Sequence, residues 1–323
     1  MCKVWLHVRE NLLPLVAHGT GFQNTRRAVL GEETVRDEAQ NPGATPAAID
    51  FTAARPPVVD RAGFQAQLEE LRLREKAHTR ESDAIAAARR RLPMVEMDAA
   101  IPLIGANGQT SLLEAFKGRR QLIAYYFMWN PGRPAAEQCE GCTFYTSQVT
   151  GLPYLHSRDA SFAVFCQGRN VSIPGADPLA SYVESVRYRD FMGWDVPWYS
   201  AQTSLEALLG ERQHGLFYLV CYLREGDRVF ETYWTTRRGV EAMDHSYALM
   251  DLTVYGRQED WEDSPESWPQ HCSNVRTETG SPTWTPITAW PEGRPIAQWS
   301  RLSAGHSDDL GPGGLTHDAR PCH

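Results

Sequence analysis

Residues 120–129 read RQLIAYYFMW, and this run restricts the fold more than any composition figure does. Apolar side chains fill both alternating sets of positions, and aromatic and β-branched residues dominate. A strand with one wet face alternates apolar with polar. A strand apolar on both faces belongs inside a sheet that is covered on both sides. Beyond it, "SFAVFCQ" reads as a strand, "ADPLASYVESVRYRDFMG" as a helix and "DVPWYS" as a strand. "GLFYLVCYL" and "RVFETYWTT" follow as strands joined by Glu225-Gly226-Asp227. Strands alternating with helices predict an α/β protein with a central mixed sheet, here ending in an antiparallel hairpin.

Ahead of that strand, residues 63–92 place Phe64, Leu68, Leu71, Ile85, Ala88 and Leu92 at helical spacings, and Pro93 stops the pattern. This predicts a helical lead with a break near Thr79. "MVEMD" and "IPLIGANGQT" suggest short strands with a turn at Asn107-Gly108, and "TSLLEAF" a short helix capped by Thr110. Residues 142–156 and "GVEAMDHSYALMDLTVYG" are the remaining helix candidates. Pro42, Pro46, Pro56 and Pro57 mark residues 1–61 as an arm or linker. The expected folded domain spans 62–262. Residues 263–323 form a proline-rich tail whose Trp268, Trp284, Trp290 and Trp299 favour irregular chain wrapped partly on the core.

A net charge of −8 argues against a general nucleic-acid binder. The seven cysteines are odd in number and scattered, unlike the framework of a secreted disulfide protein. Cys166 and Cys221 lie within apolar runs and read as buried free thiols. No apolar run reaches the roughly 18–20 residues needed to span a bilayer. Arg9 and Glu10 split the apolar N-terminus. The expected location is therefore the cytoplasm, with no membrane partner.

Cys139-Glu140-Gly141-Cys142 follows the doubly apolar strand. Such a pair can exchange disulfides, contribute to a zinc site or pack as two small residues. Structural zinc usually needs four ligands, and no second paired cluster is present, so no metal is expected. At the start of a helix, backbone N–H groups and the helix dipole favour a thiolate. Cys139 is then the attacking sulfur, and Cys142, about one turn on, resolves the mixed disulfide. Glu140 opposes the thiolate, which predicts a weakly acidic dithiol on the reducing side.

Taken in order, "RESDAIAAARRRLPMVEMD", "GRRQLIAYYFMW", "CEGCTFYTSQVTGLPYLHSRDASFAV", "MGWDVPWYS", "RVFETYWTTRRGVEAM" and "YALMDLTVYGRQEDWED" resemble the bacterial thioredoxin-like family known as domain of unknown function 899. The resemblance covers roughly residues 65–265. Members of that family are described as predicted dithiol-disulfide oxidoreductases. The resemblance implies a thioredoxin/peroxiredoxin-like fold with the cysteine pair after the first core strand, and carries over Cys139 and Cys142. Three departures stand out. Ser147 occupies the place of an aspartate in the family's usual pattern, so an aspartate proton relay is not carried over. Trp129 lies ten positions before Cys139, whereas in thioredoxins a tryptophan directly precedes the pair. No proline precedes residues 215–223, where thioredoxins have a cis-proline.

Substrate contacts are expected from Trp129, Trp194, Pro197, Trp198 and Arg237. The first four are aromatic or rigid neighbours of the dithiol segment, although core packing accounts equally for Trp194 and Trp198. Arg237 beside Tyr233 and Trp234 suits an anionic substrate, although a surface hairpin end accounts better for it. The expected activity is reversible dithiol–disulfide exchange without a cofactor. Its partners are a cellular thiol reductant and a small disulfide or protein substrate. Two alternatives compete with it. One is a non-catalytic thioredoxin-fold binding module. The other is a thiol-dependent peroxide reductase, disfavoured because Ala136, not threonine, stands three before Cys139.

Overall fold

A computed structural model describes residues 55–168, 178–259, 261–265 and 268. The arm up to residue 54, the tail from 269, and Cys2, Cys272 and Cys322 lie outside the described residues. The helical lead is one continuous helix, α1 (Arg61–Arg89). The Asp60 side chain caps it, accepting from the Gly63 amide at 2.7 Å. The break expected at Thr79 is absent: its hydroxyl bonds the Glu75 carbonyl one turn back at 3.0 Å, which satisfies the side chain without leaving the helix. None of α1's side chains is buried.

Next come β1 (Val95–Met97), β2 (Pro102–Gly105) and β3 (Gly108–Ser111). The last two form the expected hairpin, with Gly108 at φ +90°. Helix α2 (Leu112–Ala115) is capped by Ser111, one residue later than expected. Glu114, three residues on, closes a capping box back to the Ser111 amide at 2.8 Å. The apolar run forms β4 (Gln121–Phe127), and the cysteine pair opens α3 (Glu140–Ser147). α4 (Leu152–His156), β5 (Ala160–Cys166), α5 (Pro178–Met192), β6 (Trp198–Ser200) and α6 (Leu205–Leu209) follow. The chain then runs through β7 (Tyr218–Glu225), β8 (Arg228–Thr236), a 3-10 segment (Arg237–Met243) and α7 (His245–Met250).

The strands make one sheet in the order β1-β8-β7-β4-β5-β6-β2-β3. β4 sits at its centre, parallel to β5 and antiparallel to β7. The two-residue alternation of β4 sends its side chains into two separate cores. Leu122, Ala124 and Tyr126 pack with Phe116, Leu205 and Leu208 on one face. Tyr125 and Phe127, continued by Trp129 beyond the strand, pack on the other with Cys142, Tyr188 and Trp198. The prediction from RQLIAYYFMW therefore holds for a physical reason: each face of this strand is lined by its own helical layer.

Two predicted helices are split. The first ends at Ser147, and α4 restarts after Gly151 with Pro153 at its N-terminus. The second becomes a 3-10 segment and then α7, whose N-cap Asp244 accepts from the Tyr247 amide at 3.1 Å. Cys166 is buried as expected, but Cys221, across from the β8 bulge, is only half-buried.

Candidate active site

The two-faced β4 delivers the chain to the cysteine pair at the sheet's centre. β4 ends at Phe127, and residues 128–139 loop over before α3 begins. Gln138 pins this loop. Its amide is fully buried, accepts from the Asn130 N–H at 3.0 Å and donates to the carbonyls of Asn130 at 2.9 Å and Arg133 at 3.0 Å. The Asn130 side chain adds a bond to the Glu137 carbonyl at 3.0 Å. The "NPGRPAAEQ" segment is thus held by side-chain amides around a single 3-10 turn, Ala135–Glu137.

Cys139 is the N-cap of α3, and its sulfur accepts from the Cys142 amide at 3.4 Å. The Cys142 sulfur in turn accepts from the Met128 amide at 3.4 Å. Both sulfurs are nearly inaccessible, at 4% exposure for Cys139 and 0% for Cys142. Burial, together with the hydrogen bond that its S–H gives to Cys139, pushes the Cys142 thiol well above its ordinary range. The Tyr125 hydroxyl and the Met128 amide pull the other way. The electrostatics therefore separate the pair into a protonated donor, Cys142, and an acceptor sulfur, Cys139.

The α3 helix is fixed to its neighbours. Thr143 Oγ1 donates to the Cys139 carbonyl at 2.8 Å. A hydroxyl has one proton, so the 2.6 Å contact between Thr143 and Tyr188 makes the tyrosine the donor. Ser147, in place of the family's aspartate, donates to the Thr143 carbonyl at 2.8 Å and accepts from the Trp194 indole at 3.2 Å.

Trp129, Trp194 and Trp198 converge on the core that holds the dithiol. Trp129 is fully buried and lies 5.6 Å from the Tyr188 ring, between ring centroids. Trp198 is buried, with its indole N–H on Ser185 Oγ at 3.0 Å, and stacks on the half-buried Trp194 at 5.8 Å. Pro197 is half-buried and its carbonyl accepts from the Val164 amide at 2.8 Å. Arg237 stands apart. It is exposed, at φ +52°, at the head of the 3-10 segment whose later residues Val240 and Met243 reach that core.

Sequence reasoning missed Tyr125, the Met128 amide and Gln138. The first is one β-former among several, the second leaves no sequence signal, and the third has meaning only through the loop it fills. Among the described residues, no three His, Cys, Asp or Glu side chains are arranged to hold a metal. No described helix is long and apolar enough to cross a membrane.

The strand order β8-β7-β4-β5, with β4 parallel to β5, antiparallel to β7 and followed by a cysteine pair at a helix start, defines a thioredoxin-like fold. Residues 53–277 match the family model described as "Bacterial protein of unknown function (DUF899)". The chain belongs to that family.

Similar solved structures include a cysteine-to-serine mutant of Xanthomonas campestris peroxiredoxin Q. It is 15% identical with a TM-score of 0.32, over 50% of this chain and 97% of that one. A putative thiol:disulfide interchange protein DsbE from Chlorobium tepidum is 10% identical with a TM-score of 0.31, covering 48% and 94%. Thioredoxin from Wuchereria bancrofti is 13% identical with a TM-score of 0.28, covering 47% and 91%. No curated protein matches the chain.

Proposed function

We propose that the protein is a dithiol–disulfide oxidoreductase that reduces a disulfide substrate with Cys139 and Cys142. The observation that carries this reading is the polarised sulfur pair: Cys139 caps α3 and receives the Cys142 amide, while the buried Cys142 keeps its proton. The Cys139 thiolate attacks a substrate disulfide, forming a mixed disulfide and releasing one substrate thiolate, which takes up a proton. Cys142 then loses its proton and its sulfur attacks Cys139. The second substrate thiol leaves, and the enzyme retains the Cys139–Cys142 disulfide. The enzyme has lost two electrons and the substrate has gained them. A cellular thiol reductant restores the dithiol, so the cycle needs no bound cofactor.

Trp129, Trp194 and Trp198 share the apolar core that holds the pair, Pro197 adjoins Trp198 in the chain, and Arg237, outside that core, offers an exposed cation for an anionic substrate. The test is a titration in graded glutathione buffers, followed by alkylation and peptide mass analysis. Cys139 and Cys142 interconvert as a pair at a cellular potential if the reading holds. A pair that stays reduced throughout, or zinc that co-purifies with it, refutes the reading.

A further inference from the structure

The Tyr125 hydroxyl is buried without a hydrogen-bond partner, in the same core cluster as Cys139 and Cys142, and both sulfurs, Cys142 first, act on its ionisation. The register explains the placement: Tyr125 and Phe127 share the β4 face that α3 covers. The Met128 amide reaches the same Cys142 sulfur from the end of the strand, at 3.4 Å. We propose that the Tyr125 hydroxyl and the Met128 amide together form a two-donor cradle that stabilises the Cys142 thiolate while it attacks Cys139. This inference rests on the dithiol–disulfide reading above.

The chemistry requires such donors. To resolve the mixed disulfide, Cys142 must lose its proton inside an apolar core, where an unsupported thiolate is costly. The proton passes to the substrate thiolate released in the first step or to solvent. The Cys142 sulfur bonds to Cys139 Sγ, the bond from Cys139 to the substrate sulfur breaks, and the departing sulfur is protonated. Tyr125 keeps its proton throughout, because burial pushes its own ionisation far above the ordinary phenol range. It acts as a donor, not as a base. A buried hydroxyl left without a partner in the ground state is unfavourable. A donor left unpartnered in the ground state and sharing the core with the sulfur where charge develops is the arrangement that favours a transition state over a ground state. The titratable groups facing Cys142 are Cys139 and Tyr145 from α3 and Tyr125 from β4. Cys139 is tied up in the mixed disulfide during this step, and Tyr145, raised by burial, stays neutral.

The test uses the reduced full-length protein and dithiobis(nitrobenzoate). Thionitrobenzoate leaves once when Cys139 attacks and again when Cys142 resolves, and peptide masses assign both events to the 139–142 segment. A hydrogen bond to a charged group is worth about 1.5–3 kcal/mol, or a rate factor of roughly ten to a hundred. In Tyr125→Phe the second release therefore slows at least tenfold and its pH profile moves to higher pH, while the first release stays within about twofold. Equal second-release rates and an unmoved profile in a folded Tyr125→Phe overturn the cradle. Difluorotyrosine at position 125 keeps the hydroxyl and makes it a stronger donor, so the second release quickens. It decides the matter if the phenylalanine variant misfolds, and an unchanged rate there also overturns the cradle. A wild-type protein that shows no second release removes the dithiol reading itself, and the cradle with it.

Discussion

Truncating Gln138 to alanine tests whether one buried amide holds the active-site loop. The Gln138 side chain is fully buried and makes three hydrogen bonds to backbone, at 2.9, 3.0 and 3.0 Å. At about 1 kcal/mol net for each bond, their loss destabilises the fold by about 3 kcal/mol. The two carbonyls regain water in part, while the half-buried Asn130 N–H loses its acceptor, so these two corrections act in opposite directions. Against a typical total of about 5–15 kcal/mol, the change is large enough to read in urea. The expected result for the reduced protein is a lower midpoint with an unchanged slope. The same amide governs access, because Cys139 follows Gln138 directly and is only 4% exposed. If iodoacetamide reaches Cys139 through local opening of this loop, an opening easier by about 3 kcal/mol raises its labelling rate by about a hundredfold at fixed pH. A destabilisation below about 1 kcal/mol together with unchanged labelling refutes the reasoning.

Two further outcomes follow from the same structure. Burial raises the thiols of Cys142 and Cys166, and both are fully protonated in the fold at neutral pH. The unfolded chain ionises first, above about pH 8.5, so stability is full below that value and falls as pH rises through the alkaline range, by up to about 1.4 kcal/mol per pH unit for each thiol. Urea unfolding between about pH 8 and 9.5, below the tyrosine range, reads this slope, and Cys166→Ala lowers it. Ser111→Ala opens the capping box on α2 and costs about 1 kcal/mol, measured as a shifted urea midpoint.

The sheet was legible wherever periodicity and burial coincide. RQLIAYYFMW announces a central strand because both of its faces are apolar and both are covered. The β7–β8 hairpin follows from two apolar runs separated by a Gly-Asp turn, with Gly226 at φ +62°. The helix breaks were less legible, because their signals are local and compete with a longer pattern. Gly151 and Pro153 interrupt 142–156 without erasing its apolar spacing, and Asp244 both ends one segment and caps the next. The acidic "RQEDWEDSPE" reads as a solvated face, yet the Glu262 carboxylate accepts from the amides of Arg257 at 3.2 Å and Glu259 at 2.9 Å. The Trp261 ring meets the guanidiniums of Arg238 at 4.1 Å and Arg257 at 5.8 Å. All of these partners except Arg238 lie within the run, so its charges are met locally by its own amides and guanidinium, which a charge count does not show.

The candidate site divides the same way, and the division follows its chemistry. The two sulfurs are visible as a spacing because one helical turn must bring them together. What sets their roles is not in the spacing. It comes from a hydroxyl two strand positions before Phe127, a peptide N–H at the strand's end and the depth at which α3 is buried. Burial alone disfavours both thiolates, so a buried pair without donors would be two inert thiols, as Cys166 is, with its thiol held protonated by burial. Ser185 and Trp198 lie beside Cys166, but their protons are committed to the Tyr182 carbonyl at 2.8 Å and to Ser185 Oγ at 3.0 Å. The Cys139–Cys142 pair has backbone donors of its own, the Cys142 amide on one sulfur and the Met128 amide on the other, and the proposed cradle adds the Tyr125 hydroxyl to the second. The apolar core keeps water from the sulfurs, and these donors supply locally the stabilisation that water would otherwise give a thiolate.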